Sequence, residues 1–258
     1  MNNIAKFLLR KSENSRYAEC KKEKIRKNDW VILEIDGVQE AAQFQKIINQ
    51  KEIDSKFIRI ANLKDLSTIE SLEKEEKNYA SFFKNKVKEY HLEMELADTA
   101  LSFDTKRITF FYTAKGRVDF RDLLKDLIKS IRKLIRLQQI GMRDSTQMLK
   151  GCFGICGQEL CCQRFLKNVG KINVKTAGFQ NLDTVSTNKI TGLCGKLMCC
   201  LSFEEETYKE LLKKYPEVGK KVKTKKGIGV IESINPILGK VVVKLDNGDK
   251  IVVEKKYS

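Results

Sequence analysis

The chain has 258 residues, 41% of them hydrophobic, which allows one large domain or two to three small ones with a buried core. Its formal net charge is +16, from 50 lysines and arginines against 34 acidic residues, and this favours polyanions or acidic protein surfaces as partners. No apolar run approaches the roughly 18 residues of a membrane span, and the N-terminus lacks a signal cleavage pattern. We therefore predict a cytoplasmic protein with no membrane span, whose cysteines stay reduced.

Residues 1–55 are predicted to form a β-rich N-terminal module. An apolar alternation runs from Trp30 to Ile35 and is bounded by turn signals, among them Asp36-Gly37. Cys20 lies in a lysine-rich part of this module. Standing alone there, it is interpreted as an ordinary thiol and not as a metal ligand.

Residues 56–150 are predicted to form a central ferredoxin-like domain of the α+β class. Asp119 is the predicted N-cap of its second helix, because Asp122 and a wide apolar face follow it. Strands are predicted at 57–60, 92–96, 108–113 and 135–140. Helices are predicted at 68–90, between the first two strands, and from 119, between the last two. This βαββαβ order is that of a ferredoxin-like sheet with both helices on one face, a description that implies no iron.

Residues 207–258 are predicted to form a basic helix plus a small C-terminal β-barrel. The helix, from Phe203 to Lys214, ends before Pro216, and glycine turns separate the strands that follow. This segment has 13 lysines against 6 acidic residues, or about +7. Small barrels bind RNA or protein, but aromatic residues that would stack on bases are sparse here. We expect protein docking, with RNA bound weakly at most.

The region 151–206 contains an internal repeat. Residues 154–162 read GICGQELCC and residues 192–200 read GLCGKLMCC, the same phrase 38 positions later. Core cysteines have no reason to repeat together with their flanking glycines, so the pattern indicates a metal-binding knuckle in each half. Cys152, just upstream, is an additional candidate ligand. The main candidate ligands are the six cysteines of the repeat: Cys156, Cys161, Cys162, Cys194, Cys199 and Cys200.

The ligand set is almost pure sulfur, because the single histidine, His91, lies outside the region. Such a set suits zinc or an iron–sulfur cluster. The C-x4-C-C spacing differs from the common C-x2-C zinc ribbon and favours a cluster, without excluding zinc. We expect Cys161-Cys162 and Cys199-Cys200 to be extended, with neighbouring side chains on opposite faces. One cysteine of each pair is then a ligand, and the other lies in the core or near the site, or binds a second centre.

No enzymatic motif is present. The sequence lacks a nucleophile elbow, a phosphate-binding loop, a zinc-protease helix and a dinucleotide fingerprint. The chain is therefore predicted not to be an enzyme. Two alternatives stay open: a zinc-stabilised RNA-binding protein acting alone, which the +16 charge favours, and a thiol redox enzyme.

Beyond these physical signals, several motifs are familiar together. Residues 111–123, FYTAKGRVDFRDL, and 137–149, LQQIGMRDSTQML, with the two cysteine phrases, resemble the RicT/YaaT family of bacterial proteins that carry a PSP-one C-terminal domain. The resemblance is continuous from about Leu92 to Phe203. It departs from the family pattern at Gln158-Glu159, where Arg-Pro is usual, at Cys152, where glycine is usual, and after Leu33, where a Thr-x-x-Gly-x-Glu-x-Gly ending is missing.

The resemblance implies a non-enzymatic subunit that joins RicA-like and RicF-like proteins in a regulatory complex carrying [4Fe–4S] clusters. It further implies that this complex assists RNase Y in mRNA maturation. The family's cluster-ligating cysteines would fall on the six candidate positions. Two four-thiolate clusters need eight ligands, whereas the segment from Cys152 to Cys200 supplies seven, so a second cluster would take a ligand from another chain.

Overall fold

The computed structural model describes residues 3–11, 15–20, 25–48, 52–149, 151–166, 169–170, 172–182 and 185–254. The chain divides into two compact units, residues 1–148 and residues 149–258. Both units mix helices and strands, so the predicted α+β class is confirmed. The division into four segments, at 55, 150 and 206, stays a prediction.

The first unit contains eight described strands and three α-helices. Its strands are β1 (Asn3–Leu9), β2 (Ser15–Cys20), β3 (Trp30–Ile35), β4 (Val38–Ile48), β5 (Lys56–Ile60), β6 (Glu95–Leu101), β7 (Arg107–Thr113) and β8 (Leu134–Gln139). Its helices are α1 (Leu63–Glu89), α2 (Arg121–Ile131) and α3 (Met142–Met148).

The N-terminal strands form a curled antiparallel sheet in the order β2-β1-β4-β3-β5. Its apolar face surrounds Phe7, whose ring lies 5.9 Å from that of Phe44 and 6.2 Å from that of Phe57. The two edges of the sheet approach each other, because the Tyr17 carbonyl accepts hydrogen bonds from the backbone N–H groups of Asp54 (3.1 Å) and Ser55 (3.2 Å). The N-terminal part of the chain is therefore β-rich, as predicted, and its sheet extends beyond residue 55 to include β5.

The second sheet has the order β6-β7-β8, with β6 antiparallel and β8 parallel to β7. Helices α1 and α2 cover one face of it, where Phe83 of α1 stacks on Phe110 of β7 at 4.4 Å. Leu123 and Leu127 of α2 are fully buried in the same core. Stacking and burial of these aromatic and aliphatic side chains fix the helices on the sheet.

The expected ferredoxin-like arrangement is not formed by these strands. Strand β5, which was predicted to open the βαββαβ sheet, pairs instead with β3 of the N-terminal sheet, with Val31 opposite Ile60. The cause is the side chain of Phe57, which packs into the core around Phe7. Sheet order is a non-local property that alternation along one strand cannot supply.

The helix ends differ from prediction by a few residues. Helix α1 begins five residues earlier than expected, because Asn62 and Asp65 form a capping box: Asp65 N–H donates to Asn62 Oδ1 at 2.9 Å and Asn62 N–H to Asp65 Oδ2 at 2.7 Å. For α2 the N-cap is Phe120, not Asp119, although Asp119 Oδ1 still accepts the N–H of Arg121 at 3.2 Å. No described helix is long and apolar enough to span a membrane.

The second unit begins with small helices and ends with a sheet. The elements are α4 (Cys161–Arg164), α5 (Val174–Gly178), a 3₁₀ turn (Thr187–Ile190), α6 (Cys199–Leu212), β9 (Lys221–Thr224), β10 (Gly227–Asn235), β11 (Lys240–Leu245) and β12 (Lys250–Glu254). The predicted terminal barrel is an open antiparallel sheet in the order β12-β11-β10-β9, with no pairing of β9 to β12 in the described segment. Leu212, the last residue of α6, and Tyr215, just after it, pack on the apolar cluster of this sheet. The end of the helix therefore covers the core that a closed barrel would enclose with strands.

Candidate metal centre in the cysteine repeat

The two cysteine phrases fold into the same loop. The first loop (153–159) is closed by a β-bridge between Phe153 and Glu159, and the second loop (191–197) by one between Thr191 and Leu197. The matching hydrogen bonds run from Gly154 N to Gln158 O (2.8 Å), Gly192 N to Lys196 O (2.9 Å), Gly157 N to Gly154 O (2.9 Å) and Gly195 N to Gly192 O (2.9 Å). The sequence repeat is thus a structural repeat.

Glycine is required at one position of each loop. Gly157 and Gly195 have φ angles of 75° and 71°, in the left-handed region that L side chains adopt at a cost. Each follows directly the cysteine at the tip of its loop, Cys156 or Cys194. Both glycines bend the backbone beside these two cysteines, whereas the predicted metal-binding knuckle, with both thiols pointing inward, stays a prediction.

The two tip thiols have different surroundings. A Cβ atom added to Gly154 would lie 3.4 Å from Cys156 Sγ, so this thiol folds back over its own loop. In the second loop, a Cβ atom added to Gly192 would lie 3.9 Å from Cys194 Sγ. Cys156 nevertheless remains exposed, whereas Cys194 is buried. The repeated backbone therefore presents one accessible and one shielded thiol.

Both Cys-Cys pairs lie at the start of a helix. Cys161 and Cys162 open α4, and Cys199 and Cys200 open α6. The expectation that these residues are extended is wrong, because the chain turns helical at the first cysteine of each pair. Successive side chains then lie about 100° apart, not on opposite faces, and the argument for one ligand from each pair no longer applies.

An aromatic pair joins the two halves. Phe165 and Phe203 pack edge to face, with ring centroids 5.1 Å apart and planes inclined at 76°. Each lies four residues after the first cysteine of its Cys-Cys pair, so the repeat extends one helical turn further than the sequence reasoning recognised. The shared C-C-x-x-F spacing was the signal that could have found it. Such a pair contributes about 0.5–1.5 kcal/mol beyond its buried area.

Packing of α4 on α6 brings thiols from both halves within electrostatic range. Burial raises the pKa of the Cys200 thiol, and negative charge on Cys161 and Glu204 raises it further. Two thiolates here repel each other in the absence of a cation. A bound metal would reverse that balance and would release protons as it binds.

A buried scaffold holds the second half in place. Leu201 of α6 packs with Ala177 and Ile190 in a small core, and the Gln180 side chain donates to the Leu201 carbonyl at 2.8 Å. The Thr176 hydroxyl donates to Glu205 at 3.1 Å. Cys199 and Cys200 are therefore attached to an ordered element and not to a loose strand.

The predicted ligands differ in placement. Cys162 and Cys194 are buried, Cys156 is exposed, and the others are half-buried: Cys152, Cys161, Cys199 and Cys200. All eight cysteines are thiols. Within the described residues, no three cysteine, histidine or acidic side chains converge into a preformed metal site. The donor chemistry thus fits a thiophilic metal, but a full ligand set would need these thiols to move together or a second chain to contribute.

Two family models match the chain. Residues 55–140 match the PSP1 C-terminal conserved region, and residues 171–215 match the third domain of PSP1-like proteins. The chain is also 37% identical over 216 residues to the stage 0 sporulation protein YaaT of Bacillus subtilis (strain 168). The aligned segment covers 81% of this chain and 78% of that protein. The chain belongs to the RicT/YaaT family. The predicted resemblance is therefore confirmed.

The family match also locates the repeat. The second cysteine phrase lies inside the matched third domain, whereas the first phrase lies between the two matched regions. An uncharacterized protein of Schizosaccharomyces pombe is 48% identical over 44 residues, 17% of this chain and 6% of that protein. No solved structure matches this RicT/YaaT-family chain.

Proposed function

We propose that this chain is a non-enzymatic, iron–sulfur-binding adaptor subunit of a cytoplasmic regulatory complex. The observation that carries the proposal is the repeated loop–helix unit, whose two copies are packed through Phe165 and Phe203 with Cys161 and Cys200 as electrostatic neighbours. Duplicated thiol loops on a small scaffold are a metal-binding arrangement. Membership of the RicT/YaaT family points the same way.

The proposed cofactor is a [4Fe–4S] cluster, with zinc as the alternative. The segment from Cys152 to Cys200 contains seven cysteines, and this sulfur-rich donor set supports either metal. The candidate ligands remain Cys156, Cys161, Cys162, Cys194, Cys199 and Cys200, with Cys152 as a further donor. Because no three of them converge among the described residues, closing the site on metal binding would order the surface of α4 and α6. That coupling makes the binding of partners conditional on the metal.

The proposed partners are RicA-like and RicF-like proteins, and the proposed process is RNase Y-dependent mRNA maturation. This part rests on the family, within which the Bacillus subtilis relative is named as a stage 0 sporulation protein. We extend that name to a regulatory role in development for this chain. The net charge of +16 supports docking on acidic protein faces.

The decisive experiment is purification without oxygen, followed by metal and sulfide analysis. We expect iron, acid-labile sulfide and a broad visible absorption. Cys156→Ser and Cys194→Ser should each lose iron, whereas the matched control Cys20→Ser, in the core of the N-terminal sheet, should retain it. Colourless protein with stoichiometric zinc would favour the zinc alternative, and equal loss from all three variants would refute the assignment of the site.

A second test addresses the process. Deleting the gene in its native host should lengthen a small number of operon transcripts while general RNase Y cleavage continues, as expected for an accessory factor. Mapping transcript ends across the genome measures this. Unchanged ends would refute the proposed process without bearing on the metal.

The +16 charge favours one competing function, a zinc-stabilised protein that binds RNA by itself. In that case affinity for single-stranded RNA should be high without partners and should fall with salt, with a log–log slope of about −0.7 per phosphate contacted. We expect only weak, sequence-independent binding. A titration of the purified chain at physiological salt separates the two functions, because nanomolar, sequence-selective binding would replace the adaptor role.

A further inference from the structure

A cationic cavity lies in the first unit, away from the cysteine repeat in sequence. It is lined by residues of the curled N-terminal sheet and of β6, β7 and β8. Five of its lining side chains are basic, and only Glu40 is acidic: the basic ones are Arg10, Lys11, Arg16, Arg107 and Arg136. No part of the proposed adaptor function uses this site.

The strand register explains why basic groups collect here. In β7, Ile108 and Phe110 face the helices, so Arg107 and Thr109 face the opposite side of the sheet. The parallel register with β8 places Arg136 beside Thr109. Polar residues thus occupy a sheet face that the helices do not cover.

Ion pairs hold several of these basic groups in fixed positions. Arg10 donates to the buried carboxylate of Glu76 and, at 3.3 Å, to the Leu101 carbonyl. Lys11 bonds to Asp98 at 2.9 Å and lies 3.1 Å from Glu76. These carboxylates offset much of the charge of Arg10 and Lys11, so the two residues mainly shape the wall of the cavity.

The other arginines retain unused donors. Arg107 donates from Nη2 to Glu40 at 2.9 Å and Arg16 from Nη1 to Asp54 at 3.2 Å. The Nε of each is buried and has no hydrogen-bond partner among the described residues. The Arg136 side chain, on the edge strand β8, has no hydrogen bond or ion pair within the described chain. The Nε groups are closed off from the cavity, whereas Arg16 Nη2 and the Arg136 guanidinium keep donors that an oxyanion there could accept from.

The chemistry and the size of the cavity select the ligand. Guanidinium groups match the oxygens of phosphate in bidentate geometry. The cavity volume of about 60 Å³ is enough for a phosphate group. Burial raises the pKa of Glu40, while Arg107 opposes that rise; this one acidic group of the wall is paired with Arg107 at 2.9 Å. We infer that this cavity binds a phosphate group, held by Arg16, Arg107 and Arg136.

The test is calorimetric titration of the full chain with inorganic phosphate, pyrophosphate and adenosine 5′-monophosphate as probes. We expect saturable binding of one phosphate group, weakened about tenfold by Arg136→Ala, the loss typical of one charge-assisted hydrogen bond. The matched control is Arg121→Ala, which removes the same charge from the exposed side of α2 and should change affinity less than about twofold.

Arg136 is exposed and makes no described ion pair, so Arg136→Ala should keep the unfolding midpoint of the wild type. Tighter binding of the nucleotide than of inorganic phosphate would identify a nucleotide as the source of the phosphate, and equal binding would identify free phosphate. Absence of saturable binding to the wild type, or equal weakening by Arg136→Ala and Arg121→Ala, would overturn the inference, since the latter indicates only the general +16 charge.

Discussion

Glu76 is the most deeply buried carboxylate of the described chain, at 2% exposure. It accepts hydrogen bonds from Arg10 and from the Leu101 N–H at 2.8 Å, and Lys11 lies 3.1 Å away. It therefore joins β1, α1 and β6 through charge and not through apolar packing. A buried cation whose partner is removed is left uncompensated, which costs more than the pair itself contributes.

We expect Glu76→Gln to lower the free energy of unfolding by about 3–5 kcal/mol, because it leaves Arg10 and Lys11 without their shared carboxylate. Urea unfolding measures the change. Glu75→Gln, on the exposed side of the same helix, is the matched control and should change stability by less than about 0.5 kcal/mol. Equal effects of the two substitutions would show that Glu76 is not a structural anchor.

Gly229 lies where two strands approach too closely for a side chain. A Cβ atom at this position would lie 2.5 Å from the Lys244 carbonyl oxygen, 2.8 Å from Val243 Cγ1 and 3.0 Å from Leu245 Cα. Two of these atoms are backbone and cannot move aside without disturbing the β10–β11 pairing. We predict that Gly229→Ala destabilises the second unit by about 1–3 kcal/mol, measured by thermal unfolding.

The control for this substitution is Gly178→Ala at the end of α5. No heavy atom lies within 4 Å of its added Cβ, and its backbone is not in the left-handed region. It belongs to the same unit as Gly229, so it tests the same unfolding event. A destabilisation by Gly178→Ala as large as that by Gly229→Ala would contradict the steric explanation.

At the scale of elements, the packing of α4 on α6 is the feature that links both cysteine loops. Phe165→Ala removes no thiol, yet it removes the aromatic contact with Phe203. We expect the affinity for the metal to fall about tenfold, because the two halves must then be ordered by the metal alone. Competition with a chelator measures this. Ile237→Ala, at an exposed apolar residue of the same unit outside the cysteine repeat, should leave affinity unchanged, and an equal loss there would refute the role of the pair.

The start of α1 gives a prediction with a defined pH dependence. The Arg59 guanidinium donates to Asp65 and, with the Asn62 N–H, holds the pKa of this carboxyl below its usual value of 3.8. A lowered pKa in the folded state stabilises the protein above the unfolded value and loses that effect as pH falls through the folded value.

Asp65→Asn should therefore cost about 1 kcal/mol at pH 7, and the difference from wild type should shrink as pH falls below about 4. Urea unfolding at a series of pH values measures the difference. Asp122→Asn, in the exposed first turn of α2, is the control for general charge effects. A difference that is constant from pH 7 to pH 3 would contradict the capping role of the ionised carboxylate.

Local patterns were readable where one face of an element is buried. The alternation Ile108, Phe110, Tyr112 predicted β7, and the wide apolar face of α2 predicted that helix to within two residues of its start. The patterns failed where the outcome depends on distant contacts. Phe57 directs β5 into the N-terminal sheet, and cysteines have no strong propensity that would reveal the helices beginning at Cys161 and Cys199.

The candidate site was predictable in composition but not in conformation. The repeat of glycines and cysteines identified both loops. Gly157 and Gly195 recur at the same place in each phrase because the backbone there is left-handed, a conformation that favours glycine. The contact between Phe165 and Phe203 needed the three-dimensional packing of α4 on α6. The convergence of thiols on one metal stays a prediction, because it depends on the metal or on a partner chain.

At the scale of the whole molecule, the buried clusters are divided between two units. The clusters around Phe110, Phe7 and Ile32 consist of residues from 1–148, and those around Ile231 and Leu201 consist of residues from 149–258. Each unit therefore has an apolar core of its own. Units with separate cores can unfold in separate steps.

We predict two unfolding transitions, and the chain contains a reporter for only one of them. Trp30 is the single tryptophan, and it packs beside Ile32 in the first unit. Its fluorescence should follow the first unit alone, whereas far-ultraviolet circular dichroism follows both.

Glu76→Gln should lower the midpoint of the transition seen by fluorescence. Gly229→Ala should leave that midpoint unchanged and should lower the midpoint of the second transition, which only circular dichroism detects. Adding iron or zinc anaerobically should raise only the midpoint of the second unit's transition, which Gly229→Ala lowers, because all candidate ligands lie in 149–258. A single transition that moves equally with both substitutions and with metal would mean that the two units unfold as one.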